Sequence, residues 1–173
     1  MQRLLTNLAL YQLAWLACVT GAAARQPGWG YAAASATVLW HLWQAARPAK
    51  EMVLLATATI VGAAFETGLV GSGWVRMAPE LLVAGFFPLW MVALWAAFAT
   101  TLNVALRPLR SRVGLVAVLA LVGAPLAYAG GARLGALELH DAPLATLAVA
   151  GGWALLLPLL LRAAQRFDGF ATA

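Results

Sequence analysis

Residues Met52–Val70 read MVLLATATIVGAAFETGLV, an apolar run broken by a single charge, Glu66. About 20 mostly apolar residues are enough to cross the hydrocarbon layer of a bilayer. The run therefore predicts a membrane-spanning helix. A carboxyl group inside hydrocarbon costs at least ~2.5 kcal/mol even on lenient insertion scales. A side chain kept at that cost marks a functional position, and Glu66 is the first candidate.

The rest of the chain repeats this pattern. Of its 173 residues, 64% are hydrophobic and 10% charged, against about 45–50% and about 25% in soluble domains. A soluble domain of this composition could not cover its surface with polar side chains, and a bilayer removes that requirement. The expected fold is all-α, a polytopic membrane helical bundle forming one integral-membrane domain over residues 1–173. Six transmembrane helices are expected, roughly at 4–23, 28–46, 52–71, 81–106, 113–132 and 143–163. Turn chemistry separates them: Gln26-Pro27-Gly28, Arg47-Pro48-Ala49-Lys50, Gly71-Ser72-Gly73, Arg107-Pro108 and Asp141-Ala142-Pro143. The N-terminal stretch has some features of a signal peptide. Asn7 and Gln12 interrupt its apolar core, and it is about long enough to span, so it reads as the first helix.

The net charge of +5 is spread between the apolar runs. It forms no patch with interleaved aromatics, so no nucleic-acid partner is expected, and the charges read as topology signals. An inner N-terminus puts Arg3, Arg47, Lys50, Arg107, Arg110, Arg112, Arg162 and Arg166 inside and Arg25, Arg76 and Arg133 outside. That bias predicts an N-in, C-in protein of the bacterial inner membrane. Arg107, Arg110 and Arg112 are expected to touch lipid headgroups, and membrane lipids are the first expected partners. Trp29, Trp74 and Trp43 fall near predicted span ends, where aromatic belts lie.

Depth sorts the polar residues. At about 1.5 Å per residue, Glu66 lies about 20 Å above the inner end of its span, and Tyr128 on the fifth span reaches the same height. The Tyr128 hydroxyl is the expected partner of the carboxyl group. Thr67 points about 100° away. His41 lies roughly 7 Å above the inner end, level with Thr100 and Asn103. A height difference of over ~10 Å argues against a His41–Glu66 dyad, and His41 reads as an interfacial side chain snorkelling beside Trp40 and Trp43. His41, Thr100 and Asn103 form a secondary, inner-side set. Gln12 is expected to face the bundle interior. Trp90, Trp95 and Trp153 lie deep, with Trp15, where they either pack helices together or wall a cavity.

Other chemistries find little support. Cys18 is the only cysteine and reads as a packing residue. Glu138, His140 and Asp141 do not have a strong ligand spacing, so no metal is expected. No cofactor is expected either: H-E-x-x-H, C-x-x-C, G-x-S-x-G and Walker sequences do not occur. Gly131-x-x-x-Gly135 has the small-residue spacing of helix–helix contacts and leaves an oligomer or a partner membrane subunit open.

Several stretches carry a resemblance. They are Tyr11–Cys18, His41-Leu42, Glu66-Thr67-Gly68-Leu69 with Gly71, Pro88-Leu89-Trp90, Leu94-Trp95, Phe98–Leu102, Gly123–Tyr128 with Gly131, Leu134-Gly135-Ala136, Trp153 and Pro158. Together the pattern resembles a bacterial family of small inner-membrane proteins of unknown function, in which the acidic position of the third span is usually aspartate. The resemblance implies the architecture and assigns no activity.

Three functional classes follow. The first is a binding or transport module for a small hydrophobic or lipid-like molecule, with Glu66, Tyr128 and Gln12 as polar contacts and Trp90, Trp95 and Trp153 as apolar wall. The second is a membrane enzyme of lipid modification using Glu66 as acid or base. The third is an accessory or structural subunit in which a protonated Glu66 locks two helices.

Overall fold

The computed structural model describes residues 1–78 and 88–171. Its helices are α1 (Gln2–Ala23), α2 (Gly28–Gln44), α3 (Pro48–Gly71), α4 (Leu89–Ala99), α5 (Val113–Arg133) and α6 (Ala142–Arg166). Four of them, α1, α3, α5 and α6, are long and apolar enough to cross a membrane. Their starts follow the predicted breaks. Pro48 opens α3 and Pro143 opens α6, where the missing N–H costs nothing.

The chain is all-helical, as expected, with one small addition. Strands β1 (Val75–Met77) and β2 (Leu137–Leu139) pair antiparallel, with Arg76 opposite Glu138. They follow α3 and α5, so they tie the C-terminal ends of those two helices together. Ala78 N–H and His140 N–H extend the pairing to Ala136 O and Trp74 O. Two short apolar loops at the same end of a bundle satisfy their backbone groups in this way.

The predicted fourth span, 81–106, is also shorter in its described part. Its first seven residues lie outside the described residues. At the other end the helix stops at Ala99, and residues 100–106 form turns. The Thr100 and Thr101 hydroxyls donate to Ala97 O and Phe98 O, which occupies the last carbonyls of the helix.

Small residues set the close approaches. Gly30 on α2 faces Cys18 on α1, where a Cβ would lie 2.7 Å from the Cys18 Cα. Cys18 is accordingly a buried packing residue. The buried face of α3 runs Glu51, Leu54, Leu55, Ala58, Gly62, Glu66 and Leu69, one helical stripe. This stripe carries two acids about 22 Å apart along the helix axis. Helix α5 packs along α6, and α4 packs against α1, α2 and α3. A gap remains between α5 and the α1–α4 pair.

Candidate functional site

The gap is a cavity of about 280 Å³, lined by Tyr11, Trp15, Trp90, Trp95, Trp153 and Tyr128 among others, with Glu66 in its wall. Small side chains on α5 create the space. Ala120, Ala124, Tyr128 and Gly131 form its buried row, while Leu119, Gly123 and Ala127 line the cavity and are exposed. The mouth therefore lies along α5.

Glu66 is 1% exposed. Its Oε1 accepts two hydrogen bonds, from the Tyr128 hydroxyl at 2.5 Å and from the Trp95 indole N–H at 3.1 Å. The height match between Glu66 and Tyr128 thus corresponds to a contact, and Thr67 instead donates to Ala63 O within its own helix. Its Oε2 is buried and has no hydrogen-bond partner among the described residues. A buried polar atom without a partner costs about 1–3 kcal/mol, more if charged.

Trp95 reaches Glu66 because Gly62 clears its path. A Cβ at Gly62 would lie 2.0 Å from the indole ring. The ring then stacks on Trp153 at 4.7 Å between centroids and 14° between planes. Phe98 meets both rings edge-on, at 5.6 and 5.1 Å. Offset and edge contacts of this kind contribute ~0.5–1.5 kcal/mol each beyond burial. The three tryptophans singled out in the sequence all line the cavity, and Trp15 and Tyr11 join them. Gln12 does not. It is exposed on α1, and the interior position expected for it is corrected. Asn7, five residues earlier, is the buried amide of that helix and donates to Thr100 Oγ1 at 3.3 Å.

A second polar cluster closes the opposite end of the bundle. His41 is buried, not snorkelling, and its Nε2 lies 2.7 Å from Glu51 Oε2. Glu51 is fully buried at 0% exposure. Its Oε1 accepts from Asn103 Nδ2 at 2.5 Å and from Gly169 N–H at 2.6 Å. Arg110 donates to Asn103 Oδ1 and, at 2.8 Å, to Asp168 Oδ2, where Arg107 also sits at 3.0 Å. The expectation that Arg107, Arg110 and Arg112 serve lipid headgroups is thereby narrowed. Arg110 is committed to the protein, Arg107 is shared with Asp168, and Arg112 alone of the three is exposed with no ion pair to Asp168.

This cluster seats the segment that follows α6. Asp168 Oδ1 accepts from Phe170 N–H at 2.9 Å and Ala171 N–H at 3.0 Å, forming a turn. Phe170 lies against the His41 ring at 4.9 Å and under the Arg3 guanidinium at 5.5 Å. Partial burial pushes the Asp168 carboxyl up, but hydrogen bonds from Arg110 and Phe170 N–H and the charges of Arg110 and Arg107 hold it below the usual carboxylate range.

Sequence reasoning passed over Glu51 and Asp168. Glu51 stands beside Lys50 at a helix start and reads as an interfacial acid. The signal was its spacing: Glu51, Leu54, Leu55 and Ala58 continue the stripe that carries Glu66. The loop trio holds only an exposed contact, His140 Nε2 to Glu138 Oε2 at 3.4 Å, and among the described residues no group of three or more His, Cys, Asp and Glu could hold a metal.

Residues 4–159 match the family described as protein of unknown function (DUF2878), and the chain belongs to that family. No curated protein and no solved structure matches the chain.

Proposed function

We propose that this member of the DUF2878 family binds a small hydrophobic or lipid-like molecule in the cavity beside Glu66. One observation carries the reading. Glu66, whose Oε2 is buried and has no hydrogen-bond partner among the described residues, stands in the wall of an otherwise aromatic and aliphatic space. An apolar pocket with a few convergent polar groups is the usual form of a small-molecule site. The unmet hydrogen bond at Oε2 supplies orientation, and the rings of Trp90, Trp95 and Trp153 supply area. The mouth along Leu119, Gly123 and Ala127 lies on the surface of an apolar helix, so a ligand arrives from the lipid phase.

The same proposal places six spans in a bacterial inner membrane with both termini inside. Supporting it, Arg3, Arg47, Arg107 and Arg110 gather around the Asp168–Phe170 turn at one end of the bundle, and the two strands tie the other end. Oε1 alone joins α3 to α4 and α5 through Trp95 and Tyr128, so Oε2 is left over for a ligand.

The test is extraction of bound molecules from the purified protein by organic solvent, followed by mass spectrometry. Gly123→Phe puts a ring at the mouth, where a Cβ meets nothing within 4 Å and is accommodated without a clash. Glu66→Leu removes the polar anchor. The wild type should release a species that drops by roughly fivefold or more in both variants, the equivalent of one hydrogen bond or a blocked contact. Equal extracts from wild type and Gly123→Phe would overturn the reading.

A further inference from the structure

The two oxygens of Glu66 are served unequally, and this asymmetry bears on what the ligand must offer. Two donors converge on Oε1, a phenol O–H and an indole N–H. A neutral carboxyl group has one oxygen that accepts well, the carbonyl, and one that carries the proton. The convergence of donors assigns the carbonyl role to Oε1. The proton then sits on Oε2, which is buried without a hydrogen-bond partner among the described residues, on a side chain that stands in the cavity wall. The alternative is an ionised carboxylate. No cationic side chain is among the described lining residues, and an uncompensated ion taken out of water costs several kcal/mol.

We propose that the ligand presents a carbonyl oxygen, of a ketone, quinone or ester, to the Oε2–H of a neutral Glu66. This rests on reading the cavity as a binding site. A carbonyl accepts and donates nothing, so it brings no second hydrogen-bond demand into a lining whose indole groups are donors only. The shared chemistry is the carbonyl group. It could belong to an ester of a bilayer lipid or to a free apolar carbonyl compound.

Glutamine at position 66 tests this sharply. Its amide places C=O toward Tyr128 and Trp95 and N–H toward the cavity, which copies the neutral acid and cannot copy the anion. The probe is benzophenone, a compact apolar ketone that cross-links on irradiation. Purified protein in nanodiscs is irradiated with it, and labelled peptides from residues 113–133 are quantified by mass spectrometry. Dicyclohexyl ketone, diphenylmethane and benzhydrylamine serve as competitors with a carbonyl, no polar group and an ammonium group.

Wild type and Glu66→Gln should label within about twofold of each other, and Glu66→Leu should fall by roughly fivefold or more. Dicyclohexyl ketone should compete best. Loss of labelling in Glu66→Gln equal to that in Glu66→Leu overturns the proposal, as does best competition by benzhydrylamine. Both outcomes would point to an anionic Glu66 and a cationic ligand, and both leave the binding reading standing. Undiminished labelling in Glu66→Leu that Gly123→Phe abolishes also overturns it, with the cavity still a binding site. Labelling insensitive to Gly123→Phe removes the binding reading itself. Discs of diester and diether lipid identify the source: lower labelling in diester discs assigns the site to a lipid ester, and equal labelling to a free carbonyl compound.

Discussion

A methyl group at Gly62 would lie 2.0 Å from the Trp95 ring, and α4 holds that ring against Trp153 and Phe98. Gly62→Ala must therefore push the indole away from Glu66 Oε1. The expected loss is ~1–3 kcal/mol, as for other overpacked cores, with a shift in tryptophan emission, both read by unfolding in detergent. Glu51 has more to lose. Its two oxygens serve His41, Asn103 and the Gly169 amide. Glu51→Ala should cost about 1–3 kcal/mol for each buried donor it leaves without an acceptor, Asn103 Nδ2 and the Gly169 N–H among them, against a much smaller effect for the exposed Glu138. An unchanged midpoint in Glu51→Ala would contradict the cluster described. Glu66 was legible in the sequence because it interrupts hydrocarbon in the middle of a run. Glu51 was not, because a charge four residues into a helix is also what a helix start at an interface looks like.

The segment after α6 behaves as an element in its own right. It docks through Gly169, where a Cβ would lie 2.6 Å from Arg47 O, and through the Asp168 turn. The Asp168 carboxyl is held below its usual range, so the sign is fixed: its contribution to stability is complete above the unfolded value, about 3.9. It is lost as pH falls through the lower folded value. The difference in thermal midpoint between wild type and Asp168→Asn should therefore be constant at neutral pH and shrink below about pH 4. A difference that grows on acidification would contradict this. The helices themselves were readable from apolar runs and proline breaks. The β1–β2 pairing was not, since three-residue strands joined across the bundle carry no periodicity of their own. The early stop of α4 was also hidden. Thr100 and Thr101 are tolerated inside membrane helices, and only their bonds back to Ala97 and Phe98 show that they end this one.

At the scale of the molecule, the bundle has one end bound by paired strands and one by buried charges, with an aromatic cavity between them. Its predicted orientation is checked by reporters fused after residue 173. A reporter active only in the cytoplasm should be active, and one active only in the periplasm should be silent; the reverse would overturn the N-in, C-in placement. The cavity itself could not be read from the sequence. Its space comes from Gly123, Ala120, Ala124 and Ala127 on a helix that packs toward α6, and alanine-rich rows serve close packing equally well. The most direct measurement is an experimental density map of the protein in lipid at a resolution that shows side chains. Density of a non-protein molecule is expected in the cavity, in hydrogen-bond reach of Glu66 Oε2. A collapsed cavity, with Oε2 bonded to a donor from the chain itself, would contradict it.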